Sequence, residues 1–170
     1  TLGMGMLLSG FAQQLTNGRA VQGQLDSYMQ LANGRIFGQI TNLVIFMLVV
    51  LIIMHYVLRY TTFGRNCYAI GGDYEVARYS GISVIFTKWT TFLISGFIAA
   101  LAGVLLSSKL NSGSYLYGEN IALIVNCGCV VGGVSFAGGV GSIPQAALGL
   151  LVFGVLENAM NMLGISSYIQ

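Results

Sequence analysis

Few side chains in this sequence are equipped for covalent or acid–base chemistry. Gly133-Val134-Ser135 together with His55, the one histidine, could form an intramembrane Ser–His pair in which the imidazole takes the hydroxyl proton. Such a pair also needs an oxyanion hole of backbone donors. Nothing in the spacing brings the two side chains together, and bulky Phe136 follows the serine. Cys127 and Cys129 sit on an apolar stretch with no nearby His ligand pair, which argues against a metal site, and three cysteines make no disulfide framework. There is no Walker A pattern, dinucleotide fingerprint or HExxH. The chain is therefore expected to do no catalysis and to hold no cofactor or metal of its own. The long apolar stretches contain only His55 and Glu157 as ionisable groups, both near their ends. Ion-coupled carriers and channels place such groups in mid-span, so that reading is disfavoured too.

What remains as a chemical feature is a polar stretch, Gly71 to Ile82 (GGDYEVARYSGI), in an otherwise greasy chain. It holds two of the five acids, Asp73 and Glu75, and one of the seven bases, Arg78, with Arg59, Arg65 and Lys88 close on either side. Asp73 can cap a short helix from Tyr74 to about Tyr79, Glu75 suits its first turn, and Gly81 can end it in the left-handed region. Gly71, Gly72 and Gly81 are expected to form tight corners around it. A short charged helix between two apolar segments is suited to docking on another protein; a plain solvated loop is the competing reading.

The elements that position this stretch are membrane spans. Of 170 residues 55% are hydrophobic and 7% charged, against roughly 25% charged in a soluble domain. A net charge of +2 gives no footprint for nucleic acid. Thr1 to Leu15 reads as part of an apolar helix, and Thr16 to Gln39 as an aqueous loop with Asn17-Gly18 and Asn33-Gly34 turn signals and room for a short surface helix. Between Arg35 and Arg59 lie 23 residues without a charge, and Ile40 to Leu58 is long enough for one span, closed by His55, Tyr56, Arg59 and Tyr60 at an interface. Lys88 and Lys109 enclose a second span of 20 uncharged residues. On it Thr91, Ser95, Ala99, Gly103 and Ser107 recur at every fourth position, the mark of a close-packed helix seam. Leu110 to Gly118 is a short polar turn.

From Asn120 to Leu156 there are 37 uncharged residues, too few for two full spans and a turn. The break GGVSFAGGVG begins at Gly132. Either the preceding helix starts earlier, in the tyrosine-containing turn, or the glycine segment lies partly inside the membrane, where irregular backbone is tolerated only against protein or a wet cavity. A tight turn at the surface is the alternative. Ser142 is expected to cap the last helix with Pro144 in its first turn. Gly154, Glu157, Asn158 and Asn161 make one polar stripe along it, suited to a cavity, a partner helix or the far interface. Bases crowd Leu58 to Lys88 and none follows Lys109. The positive-inside rule then puts that loop and the glycine segment on the cytoplasmic side, and the Arg19–Arg35 loop, the Lys109–Gly118 turn and Ile165 to Gln170 outside.

Two blocks also carry a resemblance. AIGGDYEVARYSGISV (Ala69 to Val84) resembles the cytoplasmic coupling loop of sugar-importing ABC permeases of the ribose/xylose/galactose class. VVGGVSFAGGVGSIPQAALGLLVFGVLENAMNMLGISSYIQ (Val130 to Gln170) is similar to the same family's C-terminal signature, and TLGMGMLLSG with TNGRAV is a weaker match. The resemblance implies an all-α, polytopic transmembrane helical bundle. It would have a short cytoplasmic coupling helix and a Gly-rich broken or re-entrant helix pair, forming a single permease domain over residues 1–170. It implies the C-terminal part of a longer inner-membrane permease of about ten helices, without its N-terminal helices and C-terminal end. Expected partners are an ATP-binding cassette subunit holding the ATP and Mg, an extracytoplasmic sugar-binding protein, a second permease copy or paralogue, and the lipid bilayer. Coupling would fall to Gly71, Gly72, Asp73, Glu75, Ala77, Arg78, Ser80, Gly81 and Ile82. The translocation path would involve Asn126, Gly132, Gly133, Ser135, Phe136, Gly138, Gly139, Glu157, Asn158 and Asn161. Two departures leave the sugar open: the family's acidic residue is expected near Ile124, where Asn126 is the nearest polar group, and Glu157 stands where Asn is more usual. Branched-chain amino-acid permeases share the broader fold and are the alternative, but the GGD–VARYSGI form favours sugars.

Overall fold

Helices dominate the chain, as its long apolar runs require. A computed structural model describes residues 2–22, 26–36, 40–115, 117–118 and 121–164. In order these form α1 (Leu2–Leu15), β1 (Val21–Gln22), α2 (Asp26–Asn33), β2 (Arg35–Ile36), β3 (Ile40–Thr41) and α3 (Asn42–Tyr60). There follow α4 (Thr62–Gly72), α5 (Tyr74–Tyr79), α6 (Val84–Leu110), β4 (Ser112–Gly113), α7 (Ile121–Val131) and α8 (Ile143–Met162). The two-residue strands pair antiparallel as β1–β4 and β2–β3, so the expectation of an all-α chain gives way to a helical one with two minimal ladders. The helices α3, α6 and α8, of 19, 27 and 20 residues, are long and apolar enough to cross a membrane. The protein is a polytopic helical membrane protein. The expected return of Ile165 to Gln170 to the outside lies beyond the described residues.

Two compact units divide the chain: residues 1–49 with 92–119, and residues 50–91 with 120–170. In the first, the two segments expected outside come together, Val21 pairing with Gly113 and Gln22 with Ser112. The surface helix allowed for in the loop is α2, and it lies along the last turn of α6. Tyr28 Oη donates to the Val104 carbonyl at 3.1 Å and shares a short hydrogen bond with the Ser107 hydroxyl. Ser108, fully buried, donates to the Tyr28 carbonyl and accepts from Ala32 N–H at 3.2 Å, so its hydroxyl is satisfied on both sides. Asn33 reaches the Lys109 carbonyl at 3.3 Å. The turn signal at Asn17-Gly18 is realised, both residues having positive φ, 51° and 69°.

In the second unit the Leu58–Lys88 segment holds two helices rather than the one expected. Thr61 alone separates α3 from α4. Its hydroxyl donates to the Val57 carbonyl at 2.6 Å and accepts from Gly64 N–H at 3.3 Å, closing one helix and capping the next. Gly64 is buried in that corner, where a Cβ would stand 2.0 Å from the Leu58 carbonyl oxygen, so no other residue fits. In TFGRNCYAIGG the glycines and polar residues keep the segment short and only weakly apolar overall, so it reads as part of the polar loop.

Candidate functional site

The short helix α5 forms where the sequence places it. Asp73 is its N-cap, one carboxylate oxygen accepting from Glu75 N–H at 2.8 Å and Val76 N–H at 3.1 Å. Glu75 lies in the first turn and Arg78 in the last, each complementing the helix dipole. Gly81, at φ +80°, closes it, with Ile82 N–H returning to the Ala77 carbonyl at 3.2 Å. Ala77, 3% exposed, is the buried anchor of the helix, while Asp73, Tyr74, Glu75, Val76, Arg78, Tyr79 and Ser80 are exposed. Tyr79 reaches 87% exposure. The Lys88 ammonium stands 4.9 Å from the Tyr74 ring centroid, tying the start of α5 to the first turns of α6. A cleft among Tyr74, Arg78, Ile82, Ser83, Val84 and Ile85 flanks the helix. The apolar part of this outward face (Tyr74, Val76, Tyr79) was not singled out from sequence, although alternation with charged residues on so short a helix was its available signal.

Gly71 and Gly72 are not corners, which corrects the sequence expectation. They are the last two residues of α4, and the chain turns instead at Asp73, in extended conformation (φ −151°, ψ 116°). Their packing is what matters. A Cβ on Gly71 would stand 2.4 Å from the Gly139 nitrogen, and one on Gly139 2.8 Å from the Gly72 Cα. Gly138 and Gly139 have positive φ, 96° and 73°, and Gly138 would meet the Gly71 carbonyl at 2.9 Å. Tyr68, one helical turn before Gly72, donates from its hydroxyl to the Gly141 carbonyl at 2.7 Å. The end of α4 and the glycine segment are thus clasped backbone to backbone, four glycines making the approach possible.

The glycine segment itself is an ordered turn. Gly133 (φ 88°) ends α7, with its N–H on the Val130 carbonyl at 2.8 Å and Val134 N–H on Cys129 at 3.0 Å. Ser135 N–H donates to Val140 at 3.0 Å, and the Ser135 hydroxyl accepts from Ala137 N–H at 3.2 Å. That hydroxyl is a turn residue with no described bond to His55, and the two line different clefts. Phe136 is 77% exposed at the turn's tip. Ser142 is the N-cap position of α8, but its side chain makes no cap bond: it donates to Gln145 Oε1 at 2.9 Å, and Pro144 sits in the first turn as expected.

Below the turn, α7 and α8 meet along Gly128, Gly132 and Gly149. A Cβ at Gly132 would be 2.2 Å from the Gln145 carbonyl oxygen, and one at Gly149 2.1 Å from that of Gly128. Gly128 and Gly132 are four residues apart, the small-xxx-small spacing of closely packed membrane helices, and this seam went unread in the sequence. The described part of α7 runs from Ile121, and Tyr117 and Gly118 in the tyrosine-containing turn are not helical. Its 11 described residues rise about 16 Å, about half a hydrocarbon core. Of the residues expected on a path, Gly132, Gly138 and Gly139 are absorbed into these two backbone contacts. Gly133 and Ser135 shape the turn, and Asn126, Glu157, Asn158 and Asn161 are exposed on α7 and α8. Asn126 lies close in sequence to Gly128 on the same short helix.

The sequence model of a family described as branched-chain amino acid transport system / permease component matches residues 1–170. The L-arabinose transport system permease protein AraH of Escherichia coli (strain K12) is 39% identical over 170 residues, all of this chain and 52% of that protein. The ribose import permease protein RbsC of Haemophilus influenzae is 36% identical over 168 residues, 96% of this chain and 52% of its own length. The xylose transport system permease protein XylH of Escherichia coli (strain K12) is 46% identical over 110 residues, 65% of this chain and 28% of its own. The chain therefore spans about half the length of AraH and RbsC. No solved structure matches it.

Proposed function

The chain belongs to the branched-chain amino acid transport system / permease component family, and from that premise we propose that it forms part of the membrane permease of an ATP-driven importer for a small sugar. The carrying observation is the capped, exposed helix α5 joined to a clasp between Gly71–Gly72 and Gly138–Gly139. A docking helix must be rigid to transmit displacement, and α5 is fixed at its start by Asp73, at its end by Gly81 and underneath by Ala77. An ATP-binding cassette subunit gripping Tyr74, Val76, Arg78 and Tyr79 would move α4 and α6, to which α5 is covalently joined. It would also move, through the glycine clasp, the turn between α7 and α8. Closely interlocked backbones transmit such displacement because they cannot slide without steric conflict.

In this reading ATP hydrolysis belongs to the partner subunit, and this chain supplies the path and the lever in the inner membrane. The shortness of α7 supports a re-entrant hairpin: a helix half the width of the hydrocarbon core, ended by a polar turn, is tolerated where protein covers the turn. Here the end of α4 covers the Gly138–Gly139 side of the turn, and the rest of it, Phe136 included, is left for other protein to cover. Asn126, Glu157, Asn158 and Asn161 then offer the hydrogen-bonding side chains a polyhydroxylated cargo requires. Pentoses are the favoured class because the relatives named above are an arabinose, a ribose and a xylose permease. A sugar-binding protein outside and a second permease chain complete the assembly. The alternative cargo, a branched-chain amino acid, rests on the family's description.

The test is reconstitution of the intact permease with the ATPase and binding protein encoded beside it. Uptake of L-arabinose, xylose and ribose is expected to exceed that of leucine at least tenfold, and Arg78→Glu is expected to abolish uptake while the ATPase still turns over. Preferential leucine uptake would overturn the cargo; unimpaired uptake by Arg78→Glu would overturn the docking role.

A further inference from the structure

Where α3 ends, α4 begins and α8 begins, a cleft of about 350 Å³ opens among His55, Leu58, Arg59, Arg65, Tyr68 and the segment 142–144. That volume falls in the range of small-molecule sites, about 300–1,000 Å³. The coupling role does not use it. Two guanidiniums line it together with the one imidazole of the chain, and among the described residues no carboxylate does. Among the described residues neither Arg59 nor Arg65 is ion-paired; Arg59 lies 5.7 Å from the Tyr60 ring centroid. The two hydroxyls at the cleft have their protons committed, Tyr68 to the Gly141 carbonyl at 2.7 Å and Ser142 to Gln145 at 2.9 Å. Donor capacity toward a ligand therefore lies with the His55 imidazole and above all with the arginines, whose planar forks match phosphate oxygens. Ser142 leaves the first-turn N–H groups of α8 uncapped, which adds a positive helix end to the same cleft.

The other half of the wall is apolar: Leu58, Ile143 and Pro144. Leu58 is the last residue of the long uncharged run, and exposed Tyr56 and Tyr60 flank it as aromatic residues do at the edge of a bilayer. A free phosphate ion gains nothing from such walls, whereas a phosphate carrying a glycerol and acyl chains fills both halves. Basic pockets between membrane helices on the cytoplasmic side are where anionic headgroups bind.

We propose that this cleft is a binding site for the phosphate of an anionic phospholipid of the inner leaflet. The lipid bridges the α3–α4 corner and the start of α8, the two ends of the lever that α5 drives. The proposal rests on the sidedness of the bases and not on the identity of the cargo. The test places the intact permease in nanodiscs of phosphatidylcholine containing phosphatidylglycerol and reads retained lipid by native mass spectrometry. Wild type is expected to retain phosphatidylglycerol, and the pair Arg59→Gln with Arg65→Gln to lower the retained fraction roughly tenfold. Lys109→Gln, a base elsewhere, should keep wild-type retention. A photoreactive phosphatidylglycerol on the wild-type protein, which needs no variant, should label peptides containing residues 55–68 or 142–145. Equal retention by the double variant, labelling confined to other helices, or displacement of the lipid by millimolar inorganic phosphate would each overturn the site.

Discussion

Gly71 and Gly72 are neighbours in sequence and at the same helix end, yet they answer to different constraints. A methyl on Gly71 drives into the Gly139 nitrogen at 2.4 Å, backbone that has no rotamer to escape into, whereas one on Gly72 meets nothing within 4 Å. Gly71→Ala is therefore expected to cost about 1–3 kcal/mol through forced backbone shifts. Gly72→Ala should stay within about 0.5 kcal/mol of wild type. Thermal unfolding of the intact permease in detergent measures both, and transport per ATP hydrolysed should fall with the first alone. Equal behaviour of the two variants would remove the clasp from the mechanism. The pair of glycines was visible in the sequence, but their division of labour was not, because the neighbour that separates them lies 67 or more residues away, at Gly138 and Gly139.

At the scale of elements, α5 was legible because every determinant of it is local. A carboxylate at the N-cap, an acid in the first turn and a left-handed glycine after the last turn all act within ten residues. Its exposure makes a direct test of sidedness possible. Tyr79→Cys is expected to react with a membrane-impermeant maleimide in inside-out vesicles and to stay unmodified in intact cells; labelling from outside would reverse the topology on which the docking role depends. The helix α4 is not legible for the converse reason: it is short and only weakly apolar overall, and the corner that starts it depends on Thr61 and Gly64 meeting the end of α3. The α7–α8 seam lies between these cases. Gly128 and Gly132 offered the spacing, but the third glycine, Gly149, belongs to another helix and only the fold brings it there.

At the scale of the whole molecule, the chain leaves long apolar helix faces exposed. The α6 stripe of Thr91, Ser95, Ala99 and Gly103 is exposed, and nothing lies within 4 Å of where a Cβ would stand at Gly96 or Gly103. Ser107, at the end of the same stripe, is taken by Tyr28 of α2. In lipid such a smooth face gains by packing on another helix rather than on acyl chains. Gly103→Leu is accordingly expected to lower the yield of assembled permease complex severalfold, read by size-exclusion chromatography. Unchanged assembly would leave the stripe facing lipid. The sequence by itself determined what depends on composition and short range: two full spans, a further apolar helix opened by Pro144, one capped polar helix and a glycine break. Tertiary structure alone decided which glycines touch, that the break is clasped to the end of α4 just before α5, and that two arginines and a histidine share one cleft. The physical reason is that hydrophobic length, caps and charge act on a segment wherever it lies, whereas a backbone contact or a cleft exists only once distant segments occupy the same few ångströms.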